Sequence, residues 1–216
     1  MNRDVDFLYE VGSLRYMPRQ WSRFLMPEVA NNSEHMFRVV WVALTIAARC
    51  GEAVDTGKIV KMAIAHDLAE TRTGDVDAIS RQYSERFEEK ARVDIFEETS
   101  VGKEFQELLT EYSERTSLES RIVKDADNLD CDLELAERTA CGHTLPGEWK
   151  GVRDMVRNTK LFTKAAQEMY DEIWSTSPHH WHVASPQNRA NSGDWQKGSG
   201  LPIPADEKKY TIKKKR

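Results

Sequence analysis

Apolar residues near the start of the chain fall at Val5, Phe7, Leu8, Val11 and Leu14, a spacing that predicts a helix over 4–14, closed by Pro18. The pattern then dissolves over 15–24, where Arg15, Arg19 and Arg23 alternate with Tyr16, Trp21 and Phe24. Such a stretch reads either as an irregular loop packing its aromatics on a core or as a binding loop. Asn31-Asn32-Ser33 supplies capping side chains for a helix running to Arg49, with Phe37, Val39, Val40, Ala43, Leu44, Ile46 and Ala47 inside it and Gly51 closing it. Asp55-Thr56 can cap the next helix. Its residues Ile59, Val60, Met62, Ala63, Ile64, Ala65 and Leu68 are apolar nearly all round, the mark of a buried central element.

Beyond this, 71–77 reads as a loop, with Gly74 allowing a tight backbone. Ile79, Tyr83 and Phe87 predict the start of an amphipathic helix continuing through Val93, Ile95 and Phe96. Val101, Phe105, Leu108, Leu109 and Tyr112 mark another helix. Ser117 can cap a longer one carrying Leu118, Ile122, Val123, Ala126, Leu129, Leu133 and Ala136. Asp125, Asp127 and Asp130 within it are expected to face solvent, since aspartate resists burial. After the break at 142–147, Val152 to Ile173 supply a closing helical region. No strand-like alternation and no internal repeat occurs, so the fold class is all-α. The division expected is a domain over 1–175 and a C-terminal extension over 176–216, poorly structured or packed on the domain.

Composition narrows the function classes. The 216 residues suit one domain with an appendage. With 31% charged residues and a net charge of −5, the chain is expected to be soluble and to bind no nucleic-acid polymer, while a local arginine can still hold a small phosphorylated ligand. No apolar run reaches membrane-spanning length and the N-terminus lacks a signal core, so the expectation is a cytoplasmic protein without membrane contact. Cys50, Cys131 and Cys141 lack CxxC spacing and read as reduced structural thiols. His179-His180-Trp181-His182 and the basic run Lys213-Lys214-Lys215-Arg216 read as a non-catalytic tail.

The candidate chemistry centres on Ala65-His66-Asp67-Leu68-Ala69-Glu70. Adjacent imidazole and carboxylate donors suit a divalent transition metal better than calcium. On a helix Glu70 would share a face with His66, one turn on. An ionised aspartate at the inner end of a buried helix needs a partner, and a metal would also explain the histidine. His35 gains interest as a second histidine one helix earlier. No histidine lies between Asp67 and Asp127.

Several motifs in order resemble the HD-domain metal-dependent phosphohydrolases, in particular the small 5′-deoxynucleotidases. They are Pro18-Arg19 with Trp21, Ser33-Glu34-His35-Met36, His66-Asp67-Leu68-Ala69-Glu70 with Thr73-Gly74-Asp75, and Val123-Lys124-Asp125-Ala126-Asp127-Asn128-Leu129. The resemblance covers about residues 5 to 175 and implies a helical bundle, an H…HD…D metal site and a homodimer. Its metal ligands would be His35, His66, Asp67 and Asp127, holding one divalent ion among Mn, Co, Fe, Ni and Zn. The apolar stripe of the helix by itself points to Asp125; the Asp-x-Leu ending of the family motif selects Asp127. The resemblance assigns Glu70 and Asp75 to the reaction. Arg19 suits a bidentate grip on phosphate, Trp21 a wall of the nucleoside pocket, and Lys124 and Glu111 supporting roles. The activity implied is hydrolysis of the 5′-phosphate of (deoxy)nucleoside monophosphates by a metal-activated water. The alternatives are a dNTP triphosphohydrolase or another phosphate-ester hydrolase on the same scaffold, and a non-catalytic module binding nucleotide or protein.

Overall fold

A computed structural model describes residues 2–25 and 29–183. Chain contacts divide the protein into two units after Ser175. In the first, α1 (Asp4–Gly12) runs into a 3₁₀ turn at Ser13–Tyr16 and is followed by α2 (Ser22–Leu25), α3 (Asn32–Cys50), α4 (Thr56–Ala63) and α5 (Glu70–Thr73). After a 3₁₀ turn at Ser80–Gln82 come α6 (Glu88–Phe96), α7 (Gly102–Glu114), α8 (Leu118–Ala140), α9 (Leu145–Thr159) and α10 (Lys164–Ser175). The second unit contributes α11 (His180–Val183), and His179 Nδ1, just ahead of it, lies 3.0 Å from His182 Nε2. The run Lys213 to Arg216 lies outside the described residues. The described fold is all-α; its one extended feature is a bridge between Pro18 and Asn31. None of the described helices is long and apolar enough to cross a membrane.

Local chemistry explains most helix ends. Asn31 and Glu34 form a reciprocal capping box at the start of α3, each side chain taking the other's backbone N–H at 3.0 Å. Gly51 ends that helix at φ +71°, a left-handed conformation that glycine adopts without steric cost. Asp55 caps α4 and Ser117 caps α8. One core cluster gathers Val39, Ala43 and Ile46 of α3, Ile59 and Met62 of α4, Ile122, Ala126 and Leu129 of α8, and Ala166 and Tyr170 of α10. A second holds Leu14, Met36, Leu68, Ile95, Phe96 and Leu109. The backbone is therefore rigid where α3, α4 and α8 meet.

Three expectations are corrected. The helix begun at Asp55 ends at Ala63, so His66 and Asp67 lie on consecutive turns before α5 and not on a continuous helical face with Glu70. The Ala63 carbonyl, which would accept from Asp67 N–H in a continued helix, takes a hydrogen bond from His66 Nδ1 at 2.8 Å, so the side chain competes with the helix for its acceptor. Ile79, Tyr83 and Phe87 do not begin a helix and are exposed. Asp77 captures the N–H groups of Ile79 and Ser80, and Arg86 is drawn back towards the Gly74 carbonyl at 3.3 Å and Glu70 at 3.5 Å, which leaves the chain ahead of Glu88 irregular. The α8 aspartates do not face solvent: Asp125, Asp130 and also Asp132 are buried, and the Asp127 side chain is 15% exposed.

Candidate active site

His35 comes from the first turn of α3, His66 and Asp67 from the turns after α4, and Asp127 from the third turn of α8. The capping box fixes where α3 starts, and the start of α3 fixes His35, which is almost wholly buried. One donor atom from each of the four lies within 4.8 Å of every other, an arrangement that can hold a metal ion. His35 Nε2 is 3.3 Å from His66 Nε2, 3.4 Å from Asp67 Oδ2 and 3.4 Å from Asp127 Oδ1. His66 Nε2 is 3.3 Å from Asp67 Oδ2 and 3.8 Å from Asp127 Oδ1. Ligands about 2.1 Å from a divalent ion stand roughly 3.0–3.4 Å from one another, so the cluster has nearly the size of a coordination shell.

The outer ring of contacts supports the same fit. His35 Nδ1 faces Asp130 Oδ2 at 2.6 Å, and Arg38 holds the other oxygen of Asp130. His66 Nδ1 donates to the Ala63 carbonyl. Both histidines thus spend Nδ1–H on an acceptor and turn Nε2, as a lone pair, into the cluster, the tautomer that metal binding requires. Two lone pairs and two carboxylates facing one another repel unless a cation lies between them. Protons provide that charge in the metal-free protein. Burial disfavours charged His66, but Asp67 and Asp127 outweigh it and raise its pKa to about 9. His35 is raised likewise against burial by Asp127, Asp130 and Asp67. Against the same burial, the histidines hold Asp67 well below the usual carboxylate range, and Lys124 with the histidines does so for Asp127.

Asp125 is elsewhere. Its carboxylate accepts from the backbone N–H groups of Phe162 and Thr163 at 2.7 and 2.8 Å and from the Thr163 hydroxyl at 2.8 Å, pinning the start of α10 to α8. Lys124 pairs with Asp127 Oδ2 at 2.6 Å. Glu111 pairs with Lys58 at 2.6 Å and does not line the cavity beside the cluster.

That cavity, of about 410 Å³, includes Arg19, His66, Asp67, Glu70, Asp75, Lys124 and Asp127 in its wall. A volume of that order suits a small organic ligand. Arg19 Nη1 is 3.3 Å from Asp67 Oδ2 and its Nε is 3.6 Å from Asp75 Oδ2, so one guanidinium spans the two acids. Asp75 also accepts the Gln20 N–H at 2.9 Å. Glu70 is buried and accepts from Asn32 Nδ2 at 2.6 Å. Burial, with the charges of Asp67 and Asp75, pushes its pKa up to about 8. Trp21 stacks on Trp149 at 6.3 Å with the Arg19 guanidinium 5.7 Å from its ring, beside the cavity residue Arg19 and outside the lining itself. A second cavity, of about 420 Å³, lies against Phe37, Trp41 and Arg138 and contains no His/Asp group of this kind among the described residues.

Sequence reasoning missed Asp130, Arg38, Asn32 and Arg86. Asp130 had a signal, since it follows Asp127 by three residues and shares its helix face. Asn32 read only as a capping candidate because Asn31 beside it has the same chemistry. The arginines carry no local mark.

Known proteins with this architecture share its sequence pattern. A protein from Danio rerio named 5′-deoxynucleotidase HDDC2 is 32% identical over 143 residues, which span 63% of this chain and 70% of that protein. The Homo sapiens protein of the same name is 30% identical over 156 residues, 69% of this chain and 74% of its own length. Among solved structures, a conserved hypothetical protein from Pyrococcus furiosus superposes with a TM-score of 0.69 at 26% identity, over 80% of this chain and all of that one. A predicted metal-dependent phosphohydrolase from Magnetospirillum magnetotacticum shares the fold with a TM-score of 0.64 at 21% identity, over 84% of this chain and 96% of that one. The sequence profile of the HD domain matches residues 11–170, the stretch that carries all four clustered donors, and with it the chain belongs to the HD domain family.

Proposed function

We propose that the protein is a metal-dependent phosphomonoesterase that removes the 5′-phosphate from deoxynucleoside monophosphates. The observation that carries this reading is the cluster of His35, His66, Asp67 and Asp127 opening into a cavity that also holds Glu70, Asp75 and Arg19. The relatives named 5′-deoxynucleotidase support the substrate class. In this reading residues 1–175 form the catalytic domain, and the four donors hold one divalent ion of the Mn, Co, Fe, Ni and Zn group. When bound, that ion supplies Lewis acidity, lowering the pKa of water and polarising a phosphoryl oxygen.

The chain's own residues do the rest. Arg19, already aligned by Asp67 and Asp75, presents guanidinium N–H groups that match phosphate oxygens and offset their charge. Glu70 takes the proton of the attacking water. A carboxyl whose pKa lies near the working pH can hold and release that proton. Asn32 fixes the Glu70 carboxyl at one oxygen, and Arg86 stands 3.5 Å from the other. Asp75 is the group for the sugar end, an acceptor for a sugar hydroxyl or the donor of a proton to the leaving oxygen. Lys124 neutralises Asp127 and faces the same cavity. Exposed Phe37 and Trp41 on α3 support the homodimer that the family resemblance implies, which a solution mass measurement tests.

The deciding experiment supplies purified protein with manganese or cobalt and a panel of deoxynucleoside monophosphates, and measures inorganic phosphate. Release of phosphate is expected. Failure with every metal and every nucleotide rejects the reading, and inorganic triphosphate released from dNTP substrates would replace it with a triphosphohydrolase.

A further inference from the structure

Six cationic side chains line the cavity: Arg19, Arg81, Arg86, Arg92, Arg115 and Lys124. Five have a protein acceptor. Arg19 meets Asp67 and Asp75, Lys124 meets Asp127, and Arg86 meets Glu70, Glu88 and the Gly74 carbonyl. Arg92 donates to the Leu109 carbonyl at 3.1 Å and to Ser113 Oγ at 2.5 Å, and Arg81 to the Val76 carbonyl at 3.3 Å. Arg115 differs. Its Nη1 is buried and has no hydrogen-bond partner among the described residues. Leaving a charged donor unmet is costly, and Arg115 lines the cavity, so a small shift of its guanidinium brings the unmet donor to an acceptor that enters there.

The backbone around Arg115 makes the choice of residue more pointed. Arg115 caps the C-terminus of α7 at φ +57°, ψ +34°, the left-handed position that glycine fills at least cost. A cation at a helix C-terminus gains from the helix dipole, which accounts for positive charge there but not for the burial of Nη1. The guanidinium carbon sits 3.8 Å from the centroid of the Tyr112 ring, and Tyr112 in turn meets the His66 ring edge-on at 5.8 Å. Two ring contacts thus link His66 of the donor cluster to the guanidinium.

We propose that Arg115 is the nucleobase-binding residue of this site, its guanidinium donating to a ring nitrogen or carbonyl oxygen of the base. The proposal rests on the nucleotide reading above. A base is the favoured ligand because the guanidinium lies over an aromatic ring, its carbon 3.8 Å from the Tyr112 centroid, and a guanidinium so placed both stacks on and hydrogen-bonds flat heterocycles. Arg19, next to Asp67 of the donor cluster, is the residue that takes the phosphate in that reading.

The test compares manganese-loaded wild type, Arg115→Gly and Arg115→Lys on a deoxynucleoside monophosphate panel and on 2-deoxyribose 5-phosphate, which lacks a base. Glycine suits the left-handed position, so Arg115→Gly should unfold no earlier than wild type. Its KM for nucleotides should rise about tenfold, the scale of one lost hydrogen-bonded contact, with kcat nearly unchanged and the loss confined to substrates with a base. Arg115→Lys, which keeps charge but not the plane, should recover only part of the affinity. An equal loss on 2-deoxyribose 5-phosphate would assign Arg115 to phosphate, and unchanged KM values throughout would leave it a helix cap; either overturns the proposal. If wild type hydrolyses no nucleotide, the functional reading fails by itself, and calorimetric binding of free deoxynucleosides to the same proteins still decides Arg115.

Discussion

Helix α8 carries buried carboxylates on two sides, and the two sides treat them differently. Towards α9 and α10, Asp125 accepts three hydrogen bonds from Phe162 and Thr163, and Asp132 takes the Arg153 guanidinium through both oxygens at 2.9 and 2.7 Å. Every neighbour there is a donor. Towards α3, Asp127 faces His35 Nε2 and His66 Nε2, with Asp67 opposite, a group whose charge is balanced by protons on the histidines in the metal-free protein. The pKa values differ although the residues are two apart, and they follow the neighbouring charges rather than the count of donors. Burial pushes Asp125 up despite its donors, whereas Lys124 and the histidines hold Asp127 down against burial. A buried acid among donors is finished as structure. One grouped with a second acid and two imidazoles is a shell in which a metal cation can take the place of the protons.

Exchanging the two acids for alanine gives the sharpest contrast. Asp127→Ala should lose bound metal and fall to background activity while keeping a folded helical spectrum. Asp125→Ala should keep metal stoichiometry and lose about 3 kcal/mol of stability, because three donors at the start of α10 lose their acceptor. Elemental analysis and denaturant unfolding of both variants check this. Metal lost equally from both would erase the distinction between the two sides.

The same contrast shows what the sequence made legible. Helix caps at Asn31, Asp55, Gly51 and Ser117 are read from the chain because they are local chemistry, and the structure has them. The four clustered donors were found through motif order, not through periodicity, which favoured Asp125 over Asp127. Periodicity failed there because α8 is covered on several sides and buries acids in more than one direction. The end of α4 at Ala63 was illegible, since the break comes from the His66 ring competing for a carbonyl in an otherwise good helical sequence. Ile79, Tyr83 and Phe87 kept helical spacing, yet Arg86 answers to the pocket acids instead. Trp21 suggested a pocket wall from its place beside Arg19; its stacking partner Trp149 is more than a hundred residues away and could not be anticipated.

A smaller effect is expected one contact further out. Asp130 touches His35 and Arg38 but is not in the donor cluster, so its task is to orient His35 and raise the basicity of its Nε2. Asp130→Asn should weaken metal affinity by about 10–100-fold, as loss of a carboxylate behind a histidine ligand does, and raising the metal concentration should restore much of the rate. A variant that metal cannot rescue would place Asp130 among the groups that act directly on substrate.

Glu70 sharpens the comparison most finely, because it is a third kind of buried acid, beside both donors and charges of its own sign. Asn32 donates to it, but burial and the neighbouring Asp67 and Asp75 keep its proton on up to about pH 8, against an ordinary value of 4.5. Between those values the unfolded chain binds fewer protons at this position than the metal-free fold does. The Glu70 contribution to stability is therefore fully present below pH 4.5 and is lost as pH rises towards 8. Glu70→Gln cannot ionise and removes that slope, while the histidines titrate alike in both proteins and cancel in the difference. Urea unfolding of metal-free wild type and Glu70→Gln should show the variant gaining on wild type from pH 5 to pH 8. Metal should shrink the gain, since a cation in the cluster stabilises the Glu70 carboxylate and draws its pKa down. Parallel stability curves across that window in the metal-free proteins would mean that Glu70 is ionised throughout, and that it is held as Asp125 and Asp132 are, by its donors.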